Sequence, residues 1–448
     1  PLAALLCVSL AACGGDDDDH TDTSPPAVSP GDGSPGYPAP ETPLPGQATL
    51  GESAPDKPSP NHPETNEPPP APELETEPAS PYLGAEKGDV IEAKIGALHP
   101  TQIALGYDQI YYHLGRKQPD LGRYTPTAAG YLGDDANDNY SRYLYRSERK
   151  RGDDYCADNG RGGLDATSYQ PHTLRLIDAT TFACTDQAPE TGSDAAAGLK
   201  AVVIGPNGAL YLTDGHHTFT ALNELADGGP ALPVWVRVAA NYSDTKDMQV
   251  FWTRMADAGY VWLRDADNQV IEPAALPAHL ALSDFQDDHY RSLVYLTRDM
   301  GYSNAKVSEF AEFNWGSWLR KQGFDISAYS LMSLERSRVT LTDGVIAPRA
   351  GDAATSLVAA VRDAAIRMVT TPGQTMIGAD RTAQSLGQLA PPASASVWND
   401  LLEEEVWRTD TNNAGRYRTA GKGWYAVKYR QCGGPAATQS ACWLLPAQ

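Results

Sequence analysis

The stretch KAVVIGPNGALYLTDGHHTFTAL at 200–222 decides how the chain is read. Val202, Val203 and Ile204, then Pro206-Asn207-Gly208, then Leu210, Tyr211 and Leu212 alternate and punctuate like a β-hairpin. From Gly215 onward, Phe219, Leu222 and Leu225 fall at roughly helical spacing, and Asp214 is a residue type that accepts hydrogen bonds from a first helical turn. His216 and His217 are therefore expected in that turn, where unpaired N–H groups and the positive end of the helix dipole favour an anion. Near pH 7 an imidazole can exchange a proton or donate a hydrogen bond. Ordinary helix starts share most of these features, so the competing reading is that Asp214 is a plain cap and the histidines fill space beside it.

Working outward, LPVWVRVAANY at 232–242 is strongly β-prone and VIEAKIGAL at 90–98 is a strand candidate. Pro100 is expected to start a helix running through Gln102, Tyr107 and Ile110. A glycine- and aspartate-rich excursion covers about 115–170. Strand, helix, excursion, hairpin, helix and strand make an α+β domain over 83–270. Residues 271–448 read as a second, mainly helical domain: DHYRSLVYLTRDMGY, SEFAEFNWGSWLRKQG and TSLVAAVRDAAIRMV carry apolar side chains at helical spacing. Phe313, Trp315 and Trp318 are taken as core. The last segment, GWYAVKYRQCGGPAATQSACWLL, suggests a hairpin stapled by Cys432 and Cys442.

The start is different in kind. PLAALLCVSLAACGG is too short to span a bilayer but has the size of a signal-peptide core. Residues 1–13 resemble a bacterial lipoprotein signal, truncated at its start, with Cys13 as the lipidated residue; Gly14 after it favours the outer membrane. Residues 14–82 are rich in proline, acidic and small side chains, so a disordered linker is expected, with ends about 50 Å apart. Its 14 acidic residues and one lysine supply −13 of the net −22 and leave −9 for the rest. A folded body that stays acidic argues against tight sequence-independent nucleic-acid binding, though not against a local basic cleft.

Cysteine usage agrees with export. In an oxidising compartment Cys156, Cys184, Cys432 and Cys442 pair most simply as neighbours, Cys156–Cys184 and Cys432–Cys442, out of three arrangements. Zinc ligation is disfavoured because no Cys-x-x-Cys pair exists. His216 and His217 point about 100° apart on a helix and are poorly placed to share one ion. The scattered His99, His113 and His172 are read as structural, and DDAND at 134–138 lacks the glycine and glutamate of a calcium loop. No metal ligand is assigned; the cofactor is unknown and a divalent metal stays open.

LHPTQIALGYDQIYYHLGR, the 200–222 stretch and LPVWVRV together resemble the ParB/sulfiredoxin superfamily, most closely its ParB-like nuclease branch. The resemblance implies a hairpin leading into a glycine-started helix whose first turn binds phosphate. Gly215 matches the motif glycine, His216 stands where ParB has an acidic residue and sulfiredoxin its reactive cysteine, and His217 matches the sulfiredoxin histidine. Thr218 replaces an arginine of both relatives, which removes a bidentate phosphate clamp. The implied function is a phosphodiester hydrolase or nuclease. His216 or His217 would act as base, Asp214 would orient a histidine, Gly215 and Thr218 would offer N–H groups, and Gln102 and Tyr107 would contact the ligand. The alternative is a noncatalytic envelope protein that binds a small anion or a protein partner. Expected partners are a membrane, through the lipid anchor, and nucleic acid or a phosphate-bearing ligand, in the bacterial cell envelope.

Overall fold

The computed structural model describes residues 80–117, 148–170, 173–305, 307, 310–378, 380–407 and 421–433. The signal-like start with Cys13, nearly all of the linker, the 134–138 run, His172 and Cys442 lie outside the described residues. The fold is mixed α/β. Its central sheet has five strands in the order β1-β6-β4-β5-β2. These are β1 (Val90–Lys94), β2 (Leu98–Pro100), β4 (Ala201–Ile204), β5 (Leu210–Leu212) and β6 (Pro233–Asn241). Short β3 (Ala104–Leu105) pairs with β7 (Gln286–Asp287), and β8 (Val339–Thr342) with β9 (Val345–Pro348).

Ten α-helices occur among the described residues. The first five are α1 (Tyr107–Lys117), α2 (Lys150–Asp158), α3 (Asp194–Ala197), α4 (His216–Glu224) and α5 (Met248–Asp257). Then come α6 (His289–Tyr295), α7 (Ala311–Lys321), α8 (Leu357–Thr370), α9 (Ala395–Val406) and α10 (Lys422–Cys432). None is long and apolar enough to cross a membrane.

The expected hairpin is β4 and β5, in register Val202↔Leu212 and Ile204↔Leu210. Its turn places Asn207 and Gly208 at positive φ, with the Ala209 N–H donating to the Pro206 carbonyl, as an Asn-Gly hairpin turn requires. Because strand side chains alternate, Val202, Ile204, Leu210 and Leu212 enter one core with Ile110, Leu114, Phe219 and Leu222. Val203 faces the other way, onto Phe251 and Met255 of α5. β2 runs parallel to β5, so both strands end at the same edge and deliver residues 101–106 beside the start of α4. The excursion is tied back by the Cys156–Cys184 disulfide, one of the two expected pairs.

Two expectations need correction. First, the helix after Pro100 begins only at Tyr107. Gly106 lies against the backbone of α6, and the first N–H groups of α1 donate to distant acceptors, Tyr107 to Asp287 Oδ1 (3.3 Å) and Asp108 to Ser292 Oγ (3.2 Å). The stop is therefore set by tertiary contacts that local sequence does not contain.

Second, Lys422–Cys432 is a helix where the sequence suggested the first strand of a terminal hairpin. Trp424, Tyr425 and Val427 enter the helical core while Tyr429 stacks on Tyr111 and Arg430 pairs with Asp108 (2.6 Å) and Asp287 (2.9 Å). A helix buried on several sides carries no single apolar stripe, and its aromatic and β-branched content then mimics a strand.

The described residues on both sides of 270 lie in one compact unit. The helical core of Trp315, Trp318, Leu357, Val361 and Trp398 also includes Tyr112 of α1.

Candidate functional site

A cavity open to solvent lies at the carboxyl edge of β2 and β5. It is lined by Gln102, Thr213, Asp214, Gly215, His216, His217, Arg291, Phe310, Glu312 and Phe313. The fold thus brings together five of the seven residues expected at the site: Asp214, Gly215, His216, His217 and Gln102. Thr218 is half-buried and does not line the cavity, though its N–H belongs to the same first turn. Tyr107 is elsewhere, its hydroxyl held by the carbonyls of Leu282 (2.8 Å) and Phe285 (2.6 Å). His99 and His113 do not line the cavity either.

The N-terminus of α4 opens into this cavity without a capping side chain. Gly215 occupies the cap position at φ 88°, a left-handed conformation that costs other residues about 1–2 kcal/mol. A Cβ there would also meet Lys200 Cγ at 2.6 Å. Asp214 is exposed at the rim and does not cap, contrary to its expected bland role. The first-turn N–H groups and the helix dipole are left for something negative.

The two histidines are buried and held by backbone. His216 Nε2 accepts from the Thr101 N–H (3.0 Å) and His217 Nε2 from the Gly106 N–H (3.1 Å). Burial pushes the His216 pKa down to about 3, and burial with the Arg291 charge holds His217 well below its usual value. Both rings are neutral at pH 7, and with Nε2 accepting, the proton of each sits on Nδ1. Each ring therefore offers an N–H donor and has no free lone pair with which to act as a general base.

Arg291 from α6 is the residue that sequence reasoning missed. It is 4% exposed, and its guanidinium lies over the Phe313 ring at 5.5 Å. Nη2 pairs with Glu312 Oε2 and reaches Gln109 Oε1 (3.3 Å), while Nη1 and Nε have no hydrogen-bond partner among the described residues. His217 Nδ1 lies 3.5 Å from Nη2, so two donors face one another with no acceptor between them. Glu312 also pairs with Arg298 (2.8 Å) and accepts from the Tyr302 hydroxyl. Burial raises the Glu312 pKa, but Arg291 and Arg298 outweigh it and hold the carboxyl below its usual value. One signal could have found Arg291: with Thr218 in place of a clamp arginine, a phosphate site needs its guanidinium from another element.

Residues 91–321 match the family described as "Putative ParB-like nuclease". The chain belongs to this family. The ParB-like match runs past 270 and takes in α6 and α7, and so covers Arg291 and Glu312 as well as the GHHT turn. No curated protein matches the chain. Among solved structures it is similar to the crystal structure of protein Atu1540 from Agrobacterium tumefaciens, at 19% identity and a TM-score of 0.30, over 52% of this chain and 79% of that one. Family membership supports a nuclease-like function at the level of the family. Among the described residues no group of three His, Cys, Asp or Glu side chains is placed to hold a metal ion.

The neutral histidines make a pH prediction. In the unfolded chain they titrate near 6.5, whereas in the fold they resist protonation to far lower pH. Their contribution is thus complete above about pH 6.5 and is lost as pH falls toward the folded value, by up to about 1.4 kcal/mol per pH unit for each ring. The variant His216→Gln/His217→Gln keeps an acceptor for Thr101 and Gly106 but cannot titrate. Denaturant unfolding from pH 7 to pH 4.5 is expected to show wild type losing stability relative to this variant; a pH-independent difference would refute the neutral, buried assignment.

Proposed function

We propose that this ParB-like chain is a phosphodiester hydrolase whose phosphate seat is the open N-terminus of α4 under Arg291. The observation that carries the reading is a set of donors without an acceptor around one cavity: the uncapped first turn of α4, His217 Nδ1–H, and Arg291, whose Nη1 and Nε have no hydrogen-bond partner among the described residues. A tetrahedral anion satisfies them together, and such donors stabilise the added charge of a pentacovalent transition state. His216 and His217 then act as donors rather than bases. Asp214, the exposed carboxylate at the rim, is the group suited to take a proton from water. The water oxygen bonds to phosphorus, the bond to the leaving alkoxide breaks, and that oxygen takes its proton from solvent. The disulfide and the apolar start with Cys13 support an oxidising, lipid-anchored location in the cell envelope.

The full chain, with its disulfide intact, should be assayed on single-stranded DNA, duplex DNA and RNA with and without divalent metal. Asp214→Asn is expected to lower turnover by about 10²–10⁴-fold while substrate binding persists, and His216→Ala/His217→Ala to weaken both. Phosphate-ester binding with no cleavage under any condition would replace this reading with the noncatalytic binding protein.

A further inference from the structure

The charge inside the cavity is more specific than an attraction to anions. Arg291 and Glu312 line the cavity and pair with each other, and Arg298, which does not line it, pairs with Glu312. Two cations and one anion leave a single positive charge. The histidines add none, because burial keeps them neutral. The nearby Asp288 is matched by Arg320 (2.7 Å), and Asp108 and Asp287 share Arg430. Asp214 adds a negative charge at the mouth.

We infer that Glu312 is a specificity-determining residue that fits the cavity to a singly charged phosphodiester and rejects a doubly charged phosphomonoester or a free phosphate terminus. This rests on the phosphate seat proposed above and deepens it. Arg291 answers one negative charge. A second meets no further arginine or lysine among the described residues lining the cavity and is brought toward the Glu312 carboxylate, which lines it too and cannot withdraw because Arg291, Arg298 and the Tyr302 hydroxyl hold it. Like charges sharing one partly buried cavity discriminate by about tenfold or more. The same carboxylate fixes the guanidinium, whose buried Nη1 and Nε have no hydrogen-bond partner among the described residues. An enzyme so built acts on internal linkages of a chain and releases its monoester products readily.

The test titrates the full chain calorimetrically with dimethyl phosphate, singly charged throughout, and methyl phosphate, whose second proton leaves near pH 6. At pH 8 wild type is expected to bind dimethyl phosphate at least about tenfold more tightly than methyl phosphate, and at pH 5 the two should bind alike. Glu312→Gln should bring the pH 8 ratio close to one. Should that variant fail to fold, wild type at the two pH values decides, joined by Asp214→Asn, whose exposed position spares the fold and which should narrow the ratio partway. Equal affinities in wild type at pH 8 overturn the inference and leave the phosphate seat intact. Binding of neither probe at either pH removes the seat and the inference together.

Discussion

Arg291→Ala is expected to lower affinity for a phosphodiester by at least about a hundredfold, because hydrogen bonds to a charged group contribute about 1.5–3 kcal/mol each and this side chain has two donor nitrogens without a partner among the described residues. Turnover should fall at least as far, since the same donors meet the charge that develops on the phosphoryl oxygens. The variant also leaves Glu312 with Arg298 and Tyr302 alone. Breaking a buried pair costs about 3–5 kcal/mol, and the surviving partner puts this case at the low end. Stability loss could therefore masquerade as loss of a ligand contact. Arg291→Lys separates the two effects: a lysine restores charge beside Glu312 but has no planar fork. Thermal melting of the lysine variant should approach wild type while phosphodiester affinity stays at least about tenfold down. Wild-type affinity in Arg291→Ala would end the phosphate reading. Full rescue by lysine would show that charge alone, without the fork, suffices.

What the sequence revealed of this site follows from where the information lies. The 200–222 stretch was legible because each of its signals is local: alternation in β4 and β5, an Asn-Gly turn between them, and a glycine followed by helical spacing. The aromatic residues of α7 are core, as their helical spacing implies, but Phe313 is both core and cavity wall, and composition cannot separate the two roles. Arg291 and Glu312 come from α6 and α7, and only tertiary packing brings them to α4. Nor could spacing foretell that both histidine rings would be saturated at Nε2 by Thr101 and Gly106, the contact that turns candidate bases into donors. The tail misled for a related reason, since α10 is held between α1 and the helical core and shows no amphipathic period.

Gly106 is where these long-range dependencies meet, and Gly106→Ala is expected to damage site and fold at once. An alanine Cβ would stand 2.8 Å from the Ser292 nitrogen, 3.0 Å from the Arg291 carbonyl carbon and 3.1 Å from Arg291 Cγ. The first two are backbone atoms of α6 and cannot rotate away, so the helix must shift as a body. Overpacking of this kind costs about 1–3 kcal/mol, and melting should register it. The more telling effect is on the ligand. Displacing α6 carries Arg291 away from the α4 N-terminus and pulls the Gly106 N–H off His217 Nε2, which frees that ring to turn. Phosphodiester affinity, measured well below the melting temperature, should fall about tenfold or more, as misplacement of positioned groups by an ångström commonly does. An exposed glycine gives the contrast: Gly351→Ala, at φ 84° with nothing within 4 Å of its Cβ, should cost stability through backbone strain and leave affinity untouched. If Gly106→Ala lowered the melting temperature while binding stayed at the wild-type level, α6 would not be what aims Arg291, and the guanidinium would owe its position to Glu312 and Phe313 alone.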